Sequence, residues 1–296
     1  MIIYFDNGNN PFTKLINDEG FSCISPYNKK IKVKIIRILE KYRFFLPLLY
    51  NRISLKSKEK IIIFDSNISS EYLVWIKRMY SEHRIIFWYW NPVSTSIDPA
   101  KIPEGIEIWS YSPYDCVHYT LKENTTFYFA KFCSNFDIKT HKKASEKKAI
   151  FVGADKGRLE MLLNLRTVLN KAGIQCVIYI LGDKPQKSCE RGIVYYKFIP
   201  YEKVINKIID SDIIIDLYTD TEAGLSLRPI EAVFLGKKLI TNNKTIYTYD
   251  FYDPTSIYML GEIRDIHEFL LNKSTDRTEF KEYYSMSAWL KRFDVI

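Results

Sequence analysis

Two α/β domains, each built on a parallel sheet and facing the other across a cleft, form the fold class that the sequence predicts. Three observations predict it. Short apolar runs of β-type residues alternate with amphipathic stretches along nearly the whole chain. The alternation breaks once, at KTHKKASEKK (139–148), where charge replaces apolar periodicity. It then restarts with a second set of runs, and 296 residues with 47% apolar content can fill two cores.

In the first half, strands are expected at residues 2–5, 21–24, 61–65, 85–90, 107–111 and 126–129, with a helix over 70–81 that places Tyr72, Leu73, Ile76 and Tyr80 on one face. The second half offers strands at 149–153, 176–181, 194–198, 213–217, 238–241 and 256–260. Its helices fall at 159–172, closed by Gly173, and at 201–209, 229–235 and 263–271. An aromatic amphipathic helix is expected over 279–293. The domains are therefore 1–140 and 149–278, both Rossmann-like, with a terminal helix in 279–296 that packs back toward the first.

Composition narrows the function classes. Cys23, Cys116, Cys133, Cys176 and Cys189 are scattered, without the paired spacing of a zinc site, which fits a reducing, cytoplasmic compartment. The N-terminus opens on a strand-like IIYF and lacks a secretory layout, and no apolar run approaches the roughly 20 residues that span a bilayer. The 22 Tyr and 18 Phe suit a strand-rich core better than a binding surface. Net charge is +8, and between Lys29 and Lys60 eleven Lys or Arg face only Glu40 and Glu59. Such a basic, apolar segment suits an anionic membrane surface, or equally a helix whose cationic side simply faces water. No RNA-binding signature or finger spacing accompanies it, so no nucleic-acid partner is expected.

Ligands of parallel α/β sheets sit at the carboxyl ends of the strands, which selects the loops to examine. GADKGR (153–158) combines Gly153, the cations Lys156 and Arg158 and a helix start, the parts of a diphosphate cradle and also of an ordinary strand-to-helix turn. In GLSLRPIE (224–231), Pro229 fits a first helical turn, Arg228 can hold a phosphate bidentately, and Ser226 lies in the preceding loop. Glu231 can accept from a ribose diol or merely complete the helix start. Asp210-Ser211-Asp212 precedes its apolar run, so it reads as a helix-to-strand turn; neither a metal nor a cofactor is expected. In the first domain Asp6 and Asp65 at strand ends, and His118 two or three residues into a helix, are the candidate bases for deprotonating an acceptor hydroxyl. Trp88 and Trp90 share a strand face and are expected to pack under helices.

GLSLRPIEAVFLGKKLITNN (224–243), with FVGADKGR (151–158) and IIDSDIIIDLY (208–218), resembles the donor-binding half of GT-B glycosyltransferases, especially those that build bacterial lipopolysaccharide and capsular sugars. The resemblance covers roughly residues 149–262 and, more loosely, the two-domain layout with its terminal helix. It implies a nucleotide-diphosphate sugar, taken as a uridine one, with Lys156 and Arg158 on the diphosphate, Glu231 on the ribose, and the backbone near Phe198 and Tyr201 on the base. The acceptor would be a growing glycan or a lipid-linked oligosaccharide. Many retaining members carry two glutamates with seven residues between them. Here Glu222 and Glu231 have eight, which leaves the stereochemical course open. A nucleotide-sugar epimerase of the non-hydrolysing type, or a module that binds glycan or nucleotide without chemistry, are the alternatives.

Overall fold

Runs such as IIIF and IIID have no polar face to offer water, so they become strands covered on both sides, and this pattern organises the whole chain. A computed structural model describes every residue except 1, 5–10, 29–30, 43–46, 53–54, 56–58, 67, 137–145, 183–191, 220–223, 263–264 and 295–296. The expected base Asp6, Glu222 and most of the 139–148 break lie outside the described residues.

The chain divides into two units, residues 1–132 with 292–296, and residues 133–291. The first contains β1 (Ile2–Tyr4), α1 (Pro11–Asp18), β2 (Ser22–Ile24), α2 (Val33–Lys41), β3 (Ile61–Phe64), α3 (Ser70–Met79), β4 (Ile85–Tyr89), β5 (Glu107–Ser110), α4 (Pro113–Tyr119) and β6 (Lys122–Glu123). Its sheet has the order β2-β1-β3-β4-β5-β6. After α5 (Ala130–Ser134), the second unit contains β7 (Lys148–Ala154), α6 (Leu159–Lys171), β8 (Gln175–Leu181), β9 (Ile193–Tyr196), α7 (Tyr201–Ile209), β10 (Ile213–Asp216), α8 (Leu227–Phe234), β11 (Lys238–Thr241), β12 (Ile257–Met259), α9 (Ile266–Leu271) and α10 (Met286–Arg292). Its order is β12-β11-β10-β7-β8-β9. Every strand pairing among the described residues is parallel.

In each sheet the connections reverse direction once, between β1 and β3 in the first and between β7 and β10 in the second. In parallel sheets such switch points are where the loops at the carboxyl ends of the strands diverge and ligands bind. The second unit's core joins Phe151, Ile178, Ile213, Ile215 and Ile240 of the strands with Leu162, Leu165 and Leu169 of α6 and Phe269 and Leu270 of α9 in one cluster. Burying each aliphatic side chain contributes about 1.5–3 kcal/mol. Gly173 closes α6 at φ 75°, a left-handed conformation in which a Cβ is costly.

Four expectations change. Residues 126–129 are buried as expected, but the first sheet takes Lys122–Glu123 as its last strand, because apolar β-type residues report burial more directly than pairing. The helix expected at 229 starts at Leu227, capped by the Ser226 hydroxyl; Pro229 lies in the first turn, whose N–H groups have no intrahelical acceptor in any case. The terminal 279–293 segment splits into a 3-10 turn, Thr278–Lys281, and the shorter α10. His118 is near the end of α4 rather than its start. Trp88 is fully buried, stacked 6.0 Å from Trp90 and donating to the Asn124 carbonyl at 2.9 Å, so Trp88 belongs to the core, whereas Trp90, just beyond β4, is partly buried. Among the described residues no helix is long and apolar enough to cross a membrane.

Candidate functional site

The second sheet's switch point collects most of the candidate residues. As β7 ends, Phe151 packs against the backbone at Gly153, where an added Cβ would come within 3.1 Å of its ring. The following turn takes both Lys156 (φ 47°) and Gly157 (φ 78°) through the left-handed region. Lys156, an exposed non-glycine, adopts a conformation that disfavours side chains. The Asp155 carboxylate ends the turn by accepting from the N–H groups of Arg158 (3.0 Å) and Leu159 (2.9 Å), which starts α6.

Arg158 spans the switch point itself. Its guanidinium lies over the Phe151 ring, 5.1 Å from the centroid, and donates to the carbonyls of Asp155 (3.0 Å) and Ala154 and, across the switch point, of Leu217 (2.6 Å). Burial pulls its pKa below the usual arginine value, with Asp216 acting in the opposite direction. A guanidinium keeps its charge under any such shift.

Asp216 closes β10 and is buried. Its carboxylate accepts from the hydroxyls of Tyr218 (2.7 Å) and Ser226 (3.0 Å). Desolvation pushes its pKa up to about 6, although those two bonds and the charges of Arg228 and Arg158 pull it down. The Ser226 hydroxyl also accepts from the Arg228 N–H, so one serine joins Asp216 to the start of α8. Asn242, after β11, fixes Tyr218 through its backbone N–H and carbonyl, both at 2.8 Å.

Glu231 is fully buried one turn into α8. It accepts from the Tyr201 hydroxyl at 2.8 Å and pairs with the Arg228 guanidinium, whose side chain is 18% exposed. Desolvation raises the Glu231 pKa, and Arg228 works against that rise. Tyr201 starts α7 from the 198–201 loop and is buried, whereas Phe198 beside it is 61% exposed. Gly153, Lys156, Arg158, Ser226 and Arg228 thus gather around one switch point; Tyr201 joins through Glu231, and Phe198 lies at the outer end of the loop.

Asp210 and Asp212 are elsewhere. Asp210 caps the end of α7, and Asp212 accepts from the Lys148 N–H at 2.9 Å where β7 begins. They line a cavity of about 720 Å³ at the opposite, amino end of the sheet, with Lys147, Lys237 and Lys238. Those ammonium groups donate to carbonyls closing α7 and α9, a helix-capping role.

In the first unit, Asp65 leaves β3 at that sheet's switch point. It accepts from the N–H groups of Trp90 (3.1 Å) and Asn91 (3.2 Å) and from the Asn91 amide, and burial pushes its pKa up to about 6 against those bonds. His118 is exposed on α4, stacked on Tyr114 at 5.7 Å, and Asp65 and His118 share no bond among those described.

No family model and no curated protein sequence matches this chain. Solved structures do. A sucrose-phosphate synthase from Thermosynechococcus elongatus superposes with a TM-score of 0.50 at 10% identity, over 89% of this chain and 75% of that one. An α-glucosyltransferase solved with UDP and a 13-mer DNA containing a central A:G mismatch gives 0.58 at 11% identity, over 99% and 98%. This chain has the GT-B fold.

Two arginines, a serine-capped helix start and a buried carboxyl pushed up by desolvation meet at the second switch point. Asp216, Tyr218 and Asn242 have no place among the residues selected by motif. The available signal for Asp216 is an acid closing an all-apolar strand, which is the cue that selects Asp65.

Proposed function

We propose that the chain is a glycosyltransferase that moves a hexose from a uridine-diphosphate sugar to a growing bacterial surface glycan, and that its second unit binds the donor. The observation that carries this is the pair Arg158 and Arg228, set on either side of one switch point around Asp216, in a fold shared with a glucosyltransferase solved with UDP. Glu231 already pairs with Arg228 and Asp216 is ionised near neutrality, so the two guanidinium groups, with the exposed Lys156 and the α8 start, supply directed donors for an anion more than a large net positive charge.

In the transfer the anomeric C–O bond to the diphosphate breaks, a bond to the acceptor oxygen forms, and the acceptor proton passes to a base. Negative charge grows on the departing diphosphate. Lys156, Arg158, Arg228 and the start of α8 would meet it, with Glu231 toward the ribose and Phe198 against the base. Asp65, with a carboxyl already near neutrality, is the described first-unit acid best tuned to receive the proton, and His118 is the alternative. Because the cations are side chains, turnover is expected to survive chelator.

The test is thermal stabilisation by uridine diphosphate and its sugars, followed by product analysis with glycan acceptors. A donor at a hundred times its dissociation constant adds about 2.7 kcal/mol of stability. The Arg158→Ala variant should fold and lose that gain. Stabilisation that persists in Arg158→Ala would remove the second switch point as the donor site. Sugar nucleotide altered without acceptor would make the protein an epimerase, and transfer to duplex DNA in place of glycan would overturn the acceptor assignment.

A further inference from the structure

Helix α2 is built with two apolar faces, and its own unit covers only one. At about 100° per residue, Ile36, Leu39 and Glu40 fall on one side. Ile36 is fully buried, Leu39 packs on the same core, and the Glu40 carboxylate accepts from the hydroxyls of Tyr50 (3.0 Å) and Ser69 (2.9 Å). The helix is thereby docked, and its one acid is turned inward. The opposite arc carries Ile35, Ile38 and Tyr42, exposed by 47%, 57% and 68%, with Lys34 and Lys41 beside them and Lys32 just ahead of the helix. Leu48, beyond the helix, is 76% exposed.

Exposed apolar side chains scattered singly need no explanation. A strip at i, i+3 and i+7 on one short helix and its C-cap residue, flanked among the described residues by lysines, is a different case. Phosphate recognition alone would need the lysines and not the isoleucines. An apolar strip bordered by cations meets its chemical complement in an anionic bilayer, where apolar groups enter the acyl boundary and ammonium groups stay among the headgroups.

We propose that α2 is a membrane-docking helix, resting its Ile35–Ile38–Tyr42 strip on an anionic lipid bilayer with Lys32, Lys34 and Lys41 at the phosphate level. Docking requires nothing of the donor site, so the two proposals can fail separately.

Flotation of the full chain with phosphatidylcholine vesicles, with and without phosphatidylglycerol, tests it. Wild type should float only with the anionic vesicles and should be released by salt. Ile35→Asp with Ile38→Asp should abolish flotation while circular dichroism stays unchanged. Lys34→Gln and Lys41→Gln should each weaken it about fivefold. Arg158→Ala should float like wild type while losing its response to uridine diphosphate. Equal binding to both vesicle types, no binding, or flotation unchanged by the Asp variants would overturn the proposal. So would a dimer in sedimentation equilibrium that the Asp variants dissociate, or duplex-DNA binding lost on Lys34→Gln but kept in the Asp variants.

Discussion

Asp65 and Asp216 each close an all-apolar strand at a switch point, and each is pushed from the ordinary 3.8 to about 6 by desolvation that outweighs several hydrogen bonds. Between those values the unfolded chain holds fewer protons than the folded one, so stability falls as pH rises through that window and levels off above it. At about 1.36 kcal/mol per pH unit, each acid costs up to about 3 kcal/mol by neutrality. Asp216→Asn should remove its share of this slope, read as urea-unfolding free energies at several pH values between 4 and 7; an unchanged slope would mean that Asp216 ionises freely. Lys156 carries a second local cost to stability. Relieving its left-handed backbone with Lys156→Gly should raise stability by about 1 kcal/mol while weakening binding of uridine diphosphate. A gain in stability with binding intact would show that the ammonium group does not touch the donor. Lys156 and Arg158 are visible in the sequence because Gly153 and Gly157 mark the turn that carries Lys156 and precedes Arg158. Asp216 is harder to see, because its partners Ser226 and, through Tyr218, Asn242 are brought to it only by folding.

Helices α6 and α7 could be read almost to the residue, because their apolar spacing is regular and Gly173 marks the end of α6. The start of α8 could not. Proline fits any position of a first turn, so it marks the neighbourhood of a helix start without fixing the residue, and Ser226 decides it by capping the Arg228 N–H. The same hydroxyl donates to Asp216, so Ser226→Ala should remove a cap and a carboxylate partner together. A cost of about 1–2 kcal/mol is expected in urea unfolding, with weaker nucleotide stabilisation in thermal melts because α8 is less firmly held. Further along α8, Arg228→Ala leaves Glu231 buried without its ion-pair partner and should cost about 3–5 kcal/mol. If Arg228→Ala is as stable as wild type near neutrality, Glu231 must be protonated in the fold.

The chain that leaves the first unit after Phe132 comes back to it at Arg292, so the second unit is an insertion between two parts of the first. The expectation of a terminal segment returning to the first domain is met by only a few residues. Phe293 is fully buried, with its ring edge-on to Trp109 at 5.0 Å. Arg84 donates to the Phe293 carbonyl at 2.6 Å and to Asp294 at 2.8 Å, while the same guanidinium holds Glu107 and draws that carboxyl down to about 2. Lys60 reaches Asp294 as well. These contacts join the starts of β3, β4 and β5 to the last turn of the chain. Phe293→Ala should therefore cost about 3–5 kcal/mol, all of it in the first unit. Calorimetry with and without uridine diphosphate separates the units, since ligand should raise only the transition of the unit proposed to bind it. In Phe293→Ala the ligand-insensitive transition should fall by on the order of 10 °C, and the ligand-sensitive one should stay in place. Both transitions falling together would mean that the units unfold as one cooperative block, and the terminal residues would then stabilise the whole chain.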